Sequence, residues 1–352
     1  MGITQPTVSV IMPVRNEFDY INQSIGSILN QDYPQEKIEI IVADGMSTDG
    51  TRAVLHEYQA NFKNIQYINN TEQIVPTGLN YAISQSTGEI IVRIDGHCKI
   101  PTDYLKNCVY HLSSNEVSGV GGSIKTIGVT TTAAAIACAM SSKFGVGDSA
   151  FRTTQGETIF VDTIPFPAYK RTTILKTGTF DEELIRNQDD EYNYRIRAQG
   201  GKILLASDIK AEYYSRGSLS SLWKQFFQYG HWKVRVLQKH PRQMQARQFM
   251  PPLFVAALLL TALTALIFAP GLWLFFIVAG SYILVNLVFS LITAARTEWL
   301  NIILLPFVYS CMHLSYGSGF LTGLLRFTNR WGDRQGKTPT WIDVEARLQR
   351  DA

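Results

Sequence analysis

The chain has 352 residues with a net charge of +3, and 46% of them are hydrophobic against 17% charged. That length fits about two domains of ~150 residues, the charge is too small to argue for nucleic acid, and no low-complexity tract or sustained heptad allows disorder, collagen or coiled coil. Residues 251–325 hold only Arg296 and Glu298 as strongly charged side chains, which excludes both a wholly soluble and a wholly membrane-embedded protein.

From the N-terminus, Thr7–Met12 is β-rich, and residues 16–31 show helical spacing through Ile21, Ile25, Ile28 and Leu29. No basic, then apolar, leader precedes them, so no signal peptide is expected and the soluble part stays where it is made. Ile38–Ala43 is a short apolar run, as in a strand buried on both faces. Thr51–Ala60 reads as helix. Ile65–Asn69, Thr77–Ser86 and Glu89–Asp95 continue a strand–helix–strand rhythm, which predicts an α/β domain with a mostly parallel, Rossmann-like sheet. Ligands of such sheets sit beyond the carboxyl ends of the strands, where Arg15, Asp44 and Asp95 fall. Neither Gly-x-Gly-x-x-Gly nor a Walker A motif follows the first strand, against a dinucleotide or P-loop enzyme.

Phe144–Glu157 is polar and punctuated by glycine, and reads as a mobile loop. Residues 181–200 return to helix. Leu219–His240 mixes Trp223, Phe226, Phe227 and Trp232 with Lys224, Lys233, Arg235 and Lys239. Such a helix lies in a membrane interface or packs on its own domain. The uncharged stretches Leu253–Ala269 and Leu272–Ala295, separated by Pro270-Gly271, read as a membrane hairpin, since ~20 apolar residues cross ~30 Å of hydrocarbon. Trp299–Phe327 is interrupted by Pro306 and Gly317-Ser318-Gly319, and is a third span or a re-entrant segment. The basic tail (Arg326, Arg330, Arg334, Lys337) sits on the cytoplasmic side if two spans precede it. Basic residues 216–247 face anionic lipid headgroups. Cys98, Cys108, Cys138 and Cys311 form no Cys-x-x-Cys pair, so disulfides are not expected and a reducing cytosol is. The predicted divisions are 1–215, 216–250 (interfacial), 251–327 (membrane) and 328–352 (polar tail).

Four segments carry chemistry. In Val42-Ala-Asp-Gly-Met-Ser-Thr-Asp-Gly-Thr51, Asp44 can accept an imide N–H such as that of uracil, while Ser47 and Asp49 can cap the next helix. Asp95-Gly-His97 places two ligand-type side chains at a strand end, where they either hold a divalent cation against a diphosphate or form a plain turn. The imidazole tilts the metal toward manganese. Asp189 and Asp190 cannot share a helix face. One of them suits a general base, and both suit the positive end of the helix dipole. Gln225, Gln228, His231 and Trp232 lie on one helix, with Gln225 and Trp232 at i and i+7; Trp232 alone would serve as an interfacial anchor.

Taken in order, Pro13-Val-Arg-Asn-Glu17, Val42–Thr51, Asp95-Gly-His97, Thr179-Phe-Asp-Glu182, Gln188-Asp189 and Gln225–Trp232 resemble the family 2 glycosyltransferases across about residues 7–240. With the C-terminal hairpin, the pattern looks most like membrane-anchored bacterial succinoglycan-type exopolysaccharide glucosyltransferases. The resemblance implies a GT-A fold and inverting transfer from a UDP-sugar, with glucose as the expected sugar. It implies nucleotide binding by Pro13, Val14, Arg15, Asn16, Glu17, Asp44 and Asp95, and a Mn²⁺ or Mg²⁺ ion on Asp95 and His97. Asp189 becomes the base, with Asp190 as fallback, and Gln225, Gln228, His231 and Trp232 face the acceptor or diphosphate. His97 stands where the family has a second aspartate, and Gln188 where it has a glutamate. The implied partners are a polyprenyl-diphosphate-linked saccharide, membrane lipids and other enzymes of a glycan assembly pathway, at the bacterial inner membrane with a cytoplasmic catalytic domain. The rival readings are a polyprenyl-phosphate sugar synthase, a processive synthase, and a non-catalytic nucleotide-sugar-binding scaffold.

Overall fold

The computed structural model describes residues 5–154 and 156–351. In chain order the first part runs β1 (Val8–Val14), α1 (Phe18–Leu29), β2 (Ile38–Asp44), α2 (Thr51–Asn61), β3 (Ile65–Asn69), α3 (Val75–Gln85), β4 (Ile90–Arg93), β5 (Cys98–Lys99), α4 (Tyr104–Ser114) and β6 (Gly119–Ile127). There follow α5 (Thr131–Met140), α6 (Lys143–Val146), α7 (Ala150–Thr153), β7 (Ile159–Phe160), β8 (Ala168–Lys170), α8 (Arg171–Thr177), α9 (Gln188–Ala198) and β9 (Ile203–Tyr214). The rest is helical: α10 (Leu219–Lys239), α11 (Met250–Ala265), α12 (Ala269–Arg296), α13 (Leu305–Arg326) and α14 (Trp341–Asp351).

The chain divides into two compact units, one of residues 1–125, 154–213 and 336–352, the other of residues 126–153 and 214–335. This differs from the predicted divisions at both ends. Residues 126–153 leave the first domain, and the tail after 335 returns to it.

The first unit is a sheet in the order β3-β2-β1-β4-β8-β6-β9-β5, with β7 on β9. Strands β3, β2, β1 and β4 are parallel, and β8 joins β4 antiparallel. The alternating strand and helix sequence produces this: Val8, Val10, Met12, Ile40 and Val42 are wholly buried between helix layers, as parallel strands require. Ile21, Ile25 and Ile28, at helical spacing, bury one face of α1. The register sets Val14 beside Asp44 and Asp44 beside Asn69, so three strands release their loops at one level.

The tail belongs here because it closes a buried charge. Arg347 on α14 forks onto Glu182 at 2.7 and 2.8 Å. Lys337 N–H donates to Asp181, and Thr179 Oγ1 donates to the Pro339 carbonyl. The Thr179–Glu182 motif is therefore the dock of the C-terminus.

In the second unit α10 runs against α13 with backbones in close approach. A Cβ at Gly230 would stand 2.0 Å from the Tyr316 carbonyl oxygen, and one at Gly319 2.0 Å from that of Phe227. Val234, Phe320 and Phe327 form the apolar core there. Much of the apolar stripe of α10 thus meets a helix. The helical stretch Ala246–Ala265, which ends in α11, and helix α12 are long and apolar enough to cross a membrane, and Leu260, Leu263, Trp273, Ile277 and Leu284 are exposed on them. The polar side of α12 is taken up by α13: Asn286 donates to the Pro306 carbonyl and to Ser310 Oγ, both at 3.0 Å, and Thr293 pairs with Tyr309 at 2.7 Å. Phe144 stacks on Phe289 with centroids 4.6 Å apart, and Tyr309 donates to Ser142. The start of the expected mobile loop is therefore pinned into this unit, and α6 and α7 give it helical turns; Gln155 lies outside the described residues.

Candidate active site

The loops leaving β1 and β2 are knitted together. The loop after β1 begins with Arg15, which binds Gln73 through Nη2–H to Oε1 at 2.6 Å. Asn16 takes φ of 55°, Met46 of 58° and Gln73 of 59°, left-handed values that cluster at the site as functional strain does. Asn16 N–H donates to Ser47 Oγ, Thr48 N–H to Asn16 Oδ1, and Glu17 N–H to Thr51 Oγ1. Asp49 accepts from Phe18 N–H and from both the N–H and the hydroxyl of Thr51. Desolvation by its neighbours raises the Asp49 pKa, but these donors outweigh it and hold the carboxyl below its ordinary value. Pro13 and Val14 close β1 beside Ala43 and Asp44.

Asp44 is 0% exposed. Its carboxylate accepts the N–H and, in a short bond, the hydroxyl of Ser47. Arg52 Nε lies 3.7 Å from it. Arg52 also donates to Tyr67 Oη and Asn69 Oδ1, each at 3.0 Å. Burial, then the Asp44 charge, raise the Tyr67 pKa. Arg52, Tyr67 and Asn69 were not singled out from sequence, although the parallel register of β2 and β3 brings Asn69 beside Asp44.

Asp95 does not stand alone. Arg93 donates to both of its oxygens, at 2.8 and 3.1 Å. Burial would lower the Arg93 pKa, yet the charges of Asp95 and then Asp189 hold it well above its ordinary value. One buried guanidinium is thus forked onto the carboxylate after β4, and the charge of Asp189 at the start of α9 also acts on it. The signal was readable: Arg93 and Asp95 are two apart on an extended segment and so share a side. His97 binds Glu17 Oε1 through Nδ1 at 2.8 Å.

Helix α9 begins after Asn187 at φ 63° and carries Asp189, Asp190 and Glu191 in its first turn, which suits the dipole. Arg195 fixes it to the preceding turn by donating to Glu191 and to the carbonyls of Thr177 and Thr179. Burial, then Tyr192 and Asp189, push the Tyr169 phenol up. Gln188 is 4% exposed and its Oε1 has no hydrogen-bond partner among the described residues; an orphan of this kind calls for water or a ligand.

The remaining four residues belong to the second unit. Gln225 donates to Tyr229 Oη at 3.0 Å. His231 sits against Phe327, with centroids 5.0 Å apart, and 3.4 Å from Thr322 Oγ1. Burial, then Arg326, lower its pKa. Trp232 also packs on Phe327, and Gln228 lies on the same helix.

Among the described residues no three His, Cys, Asp or Glu side chains gather as a metal site. The sequence reading offers two ligands, Asp95 and His97. That donor set does not fit a resident ion caged by protein, but it fits one bound through one or two side chains together with phosphate oxygens and water.

Residues 9–173 match the family description "Glycosyl transferase family 2". A Methanococcus voltae protein named dolichyl N-acetyl-alpha-D-glucosaminyl phosphate 3-beta-D-2,3-diacetamido-2,3-dideoxy-beta-D-glucuronosyltransferase is 29% identical, over 91% of this chain and 97% of its own. The succinoglycan biosynthesis protein ExoA of Rhizobium meliloti is 28% identical, over 93% and 98%. Among solved structures, a Pyrobaculum calidifontis mannosyltransferase in complex with GDP-Man and Mn²⁺ has a TM-score of 0.58 over 92% of this chain and 88% of that one. At 20% identity it shares the fold.

Proposed function

We propose that this chain, a member of family 2 of the glycosyltransferases built on the GT-A fold, moves a sugar from a UDP-sugar to a hydroxyl of a membrane-associated, polyprenyl-diphosphate-linked saccharide in glycan synthesis. The sugar is glucose and the reaction inverts the anomeric centre. Support for the acceptor class comes from the two relatives, one named for a dolichyl-linked sugar phosphate and one for succinoglycan. Support for the membrane comes from the two long apolar helices. They anchor the chain in the bacterial inner membrane with the first unit cytoplasmic, and α13, its polar groups paired to α12, is an internal helix.

The observation that carries the reading is Arg93, whose charge serves Asp95 and Asp189 together. Asp189 accepts the proton of the acceptor hydroxyl as its oxygen attacks the anomeric carbon and the nucleoside diphosphate departs; Asp190 is the fallback base. General-base help of this kind is worth ~10²–10⁴-fold. The loop Pro13–Glu17 and Asp44 flank the nucleoside, with Arg52, Tyr67 and Asn69 behind Asp44. A Mn²⁺ or Mg²⁺ ion, when bound with the donor, supplies positive charge against the diphosphate, held by Asp95 and His97. On the second unit, Gln225, Gln228, His231 and Trp232 serve the acceptor.

The test is nucleotide release by the lipid-reconstituted protein, offered UDP- and GDP-sugars with Mn²⁺ or Mg²⁺ and a bacterial lipid extract, beside Asp189→Asn. Lipid-dependent UDP release that the variant lacks supports the reading and names the donor. Release undiminished in the variant removes Asp189 as base and favours a lipid phosphate as acceptor. UDP binding without release from any donor leaves a non-catalytic scaffold.

A further inference from the structure

We infer that Glu17 is a positioning residue for His97: its carboxylate accepts a hydrogen bond from Nδ1–H, holds the proton on that nitrogen, and so leaves Nε2 with a free lone pair as the ligating atom for the cation that accompanies the donor diphosphate. This rests on assigning Asp95 and His97 to that cation. Four observations carry it. The Glu17–His97 contact is 2.8 Å, and both side chains are mostly buried. His97 Nε2 has no hydrogen-bond partner among the described residues. The ring is held from the side by Tyr213, edge-on with centroids 4.9 Å apart. The turn beneath it is clamped by Ser24, whose hydroxyl donates to the Gly96 carbonyl at 2.8 Å and accepts from Cys98 N–H at 3.2 Å.

Gly96 explains why this turn reads Asp-Gly-His. A Cβ there would stand 2.9 Å from Glu17 Cγ and 3.0 Å from Val14 Cγ1. The glycine gives the Glu17 side chain room to lie across the turn and reach the ring. Glu17 is itself fixed: its N–H donates to Thr51 Oγ1, and its carbonyl accepts from Tyr20 and Ile21 at the start of α1. A carboxylate on one imidazole nitrogen selects the tautomer and orients the other nitrogen, and loss of such partners weakens metal binding by ~10–100-fold. The competing state is an imidazolium that donates both protons, one to Glu17 and one to a diphosphate oxygen.

The experiment is an electron paramagnetic resonance titration of the full chain with Mn²⁺ in the presence of UDP, joined to ¹⁵N spectra of histidine-labelled protein with the His97 signal assigned by His97→Asn. Glu17→Ala and the isosteric Glu17→Gln should weaken Mn²⁺ binding by ~10–100-fold. In Glu17→Ala the His97 ring should lose its single Nδ1–H form for a mixture. If His97→Ala weakens Mn²⁺ binding but neither Glu17 variant does, the positioning role is wrong and the cation assignment stands. If neither His97→Ala nor Asp95→Asn alters Mn²⁺ binding, the cation assignment itself fails. A doubly protonated ring in the UDP-bound wild type would overturn the lone-pair role in favour of a direct imidazolium contact. Glu17→Gln keeps the test readable should Glu17→Ala fail to fold.

Discussion

Two histidines show how differently the two units use the same side chain. His97, in the first unit, has one nitrogen on a carboxylate and the other without a partner among the described residues. His313, in the second, has both nitrogens engaged, Nδ1 with Tyr282 Oη at 3.0 Å and Nε2 with the Phe144 carbonyl at 2.9 Å. The first arrangement leaves bonding capacity for a ligand. The second spends all of it inside the protein, where an unpaired polar group is costly. The same contrast holds for Gln188, with its orphaned oxygen, and Asn286, which ties α12 to α13. In the first unit Asp44 and Asn69 stand at the carboxyl ends of strands, whereas Asn286 and Thr293 of the second lie in a seam paired between α12 and α13.

The largest expected effect breaks the chemistry and spares the scaffold. Asp189→Asn should cut UDP release by ~10²–10⁴-fold while UDP binding and thermal unfolding stay as in the wild type. Arg347→Ala should come next, because it leaves the buried Glu182 carboxylate with Asn80 as its one side-chain partner among the described residues. Removing one partner of a buried pair costs ~3 kcal/mol, read by denaturant unfolding. Adding Glu182→Gln should recover part of the loss, since the double variant no longer buries a charge. The direct test of the histidine contrast is smaller. His313→Ala should destabilise by ~1–3 kcal/mol through its abandoned partners and leave Mn²⁺ and UDP binding intact, whereas His97→Ala should do the reverse. The smallest effect concerns Asp49, which is exposed, so its contribution stays below ~1 kcal/mol. Its folded pKa is depressed. Its contribution is therefore complete above the ordinary aspartate value of ~3.9 and fades as pH falls through the lower folded value. Asp49→Asn should flatten that acid limb of the unfolding curve.

Most of the parallel half of the sheet was legible because its period is local. Ile38–Ala43 reads as a doubly buried strand in any context, and its neighbours fix the rhythm. The segments bearing Asp44, Asp95 and Asp189 were legible for the same reason: each lies at a boundary between elements. What was missed depends on who stands opposite. Arg93 gains meaning only once Asp95 shares its side and α9 brings Asp189 near. The polar residues Tyr282, Asn286, Ser290 and Thr293 recur at helical spacing, a pattern that one periodicity reading would have shown, but it names no partner. The tail after 335 looked like solvated polar chain, since nothing local ties Arg347 to Glu182 across 165 residues.

Read alone, the sequence carried the joining of an α/β domain to apolar helices, and it placed its candidate polar residues at element boundaries. Spacing, hydrophobic run length and strand–helix alternation are short-range properties, set by backbone geometry and burial within a dozen residues. Tertiary structure alone decided that α10 lies on α13 through glycine contacts, that residues 126–153 join the second unit, and that the C-terminus closes the first. It also decided that Asp44 is sealed by Ser47, Asp95 is forked by Arg93 and His97 is turned by Glu17. Those are pairings between distant segments, and their energies come from desolvated charges and close-packed backbones that exist only after the chain has folded.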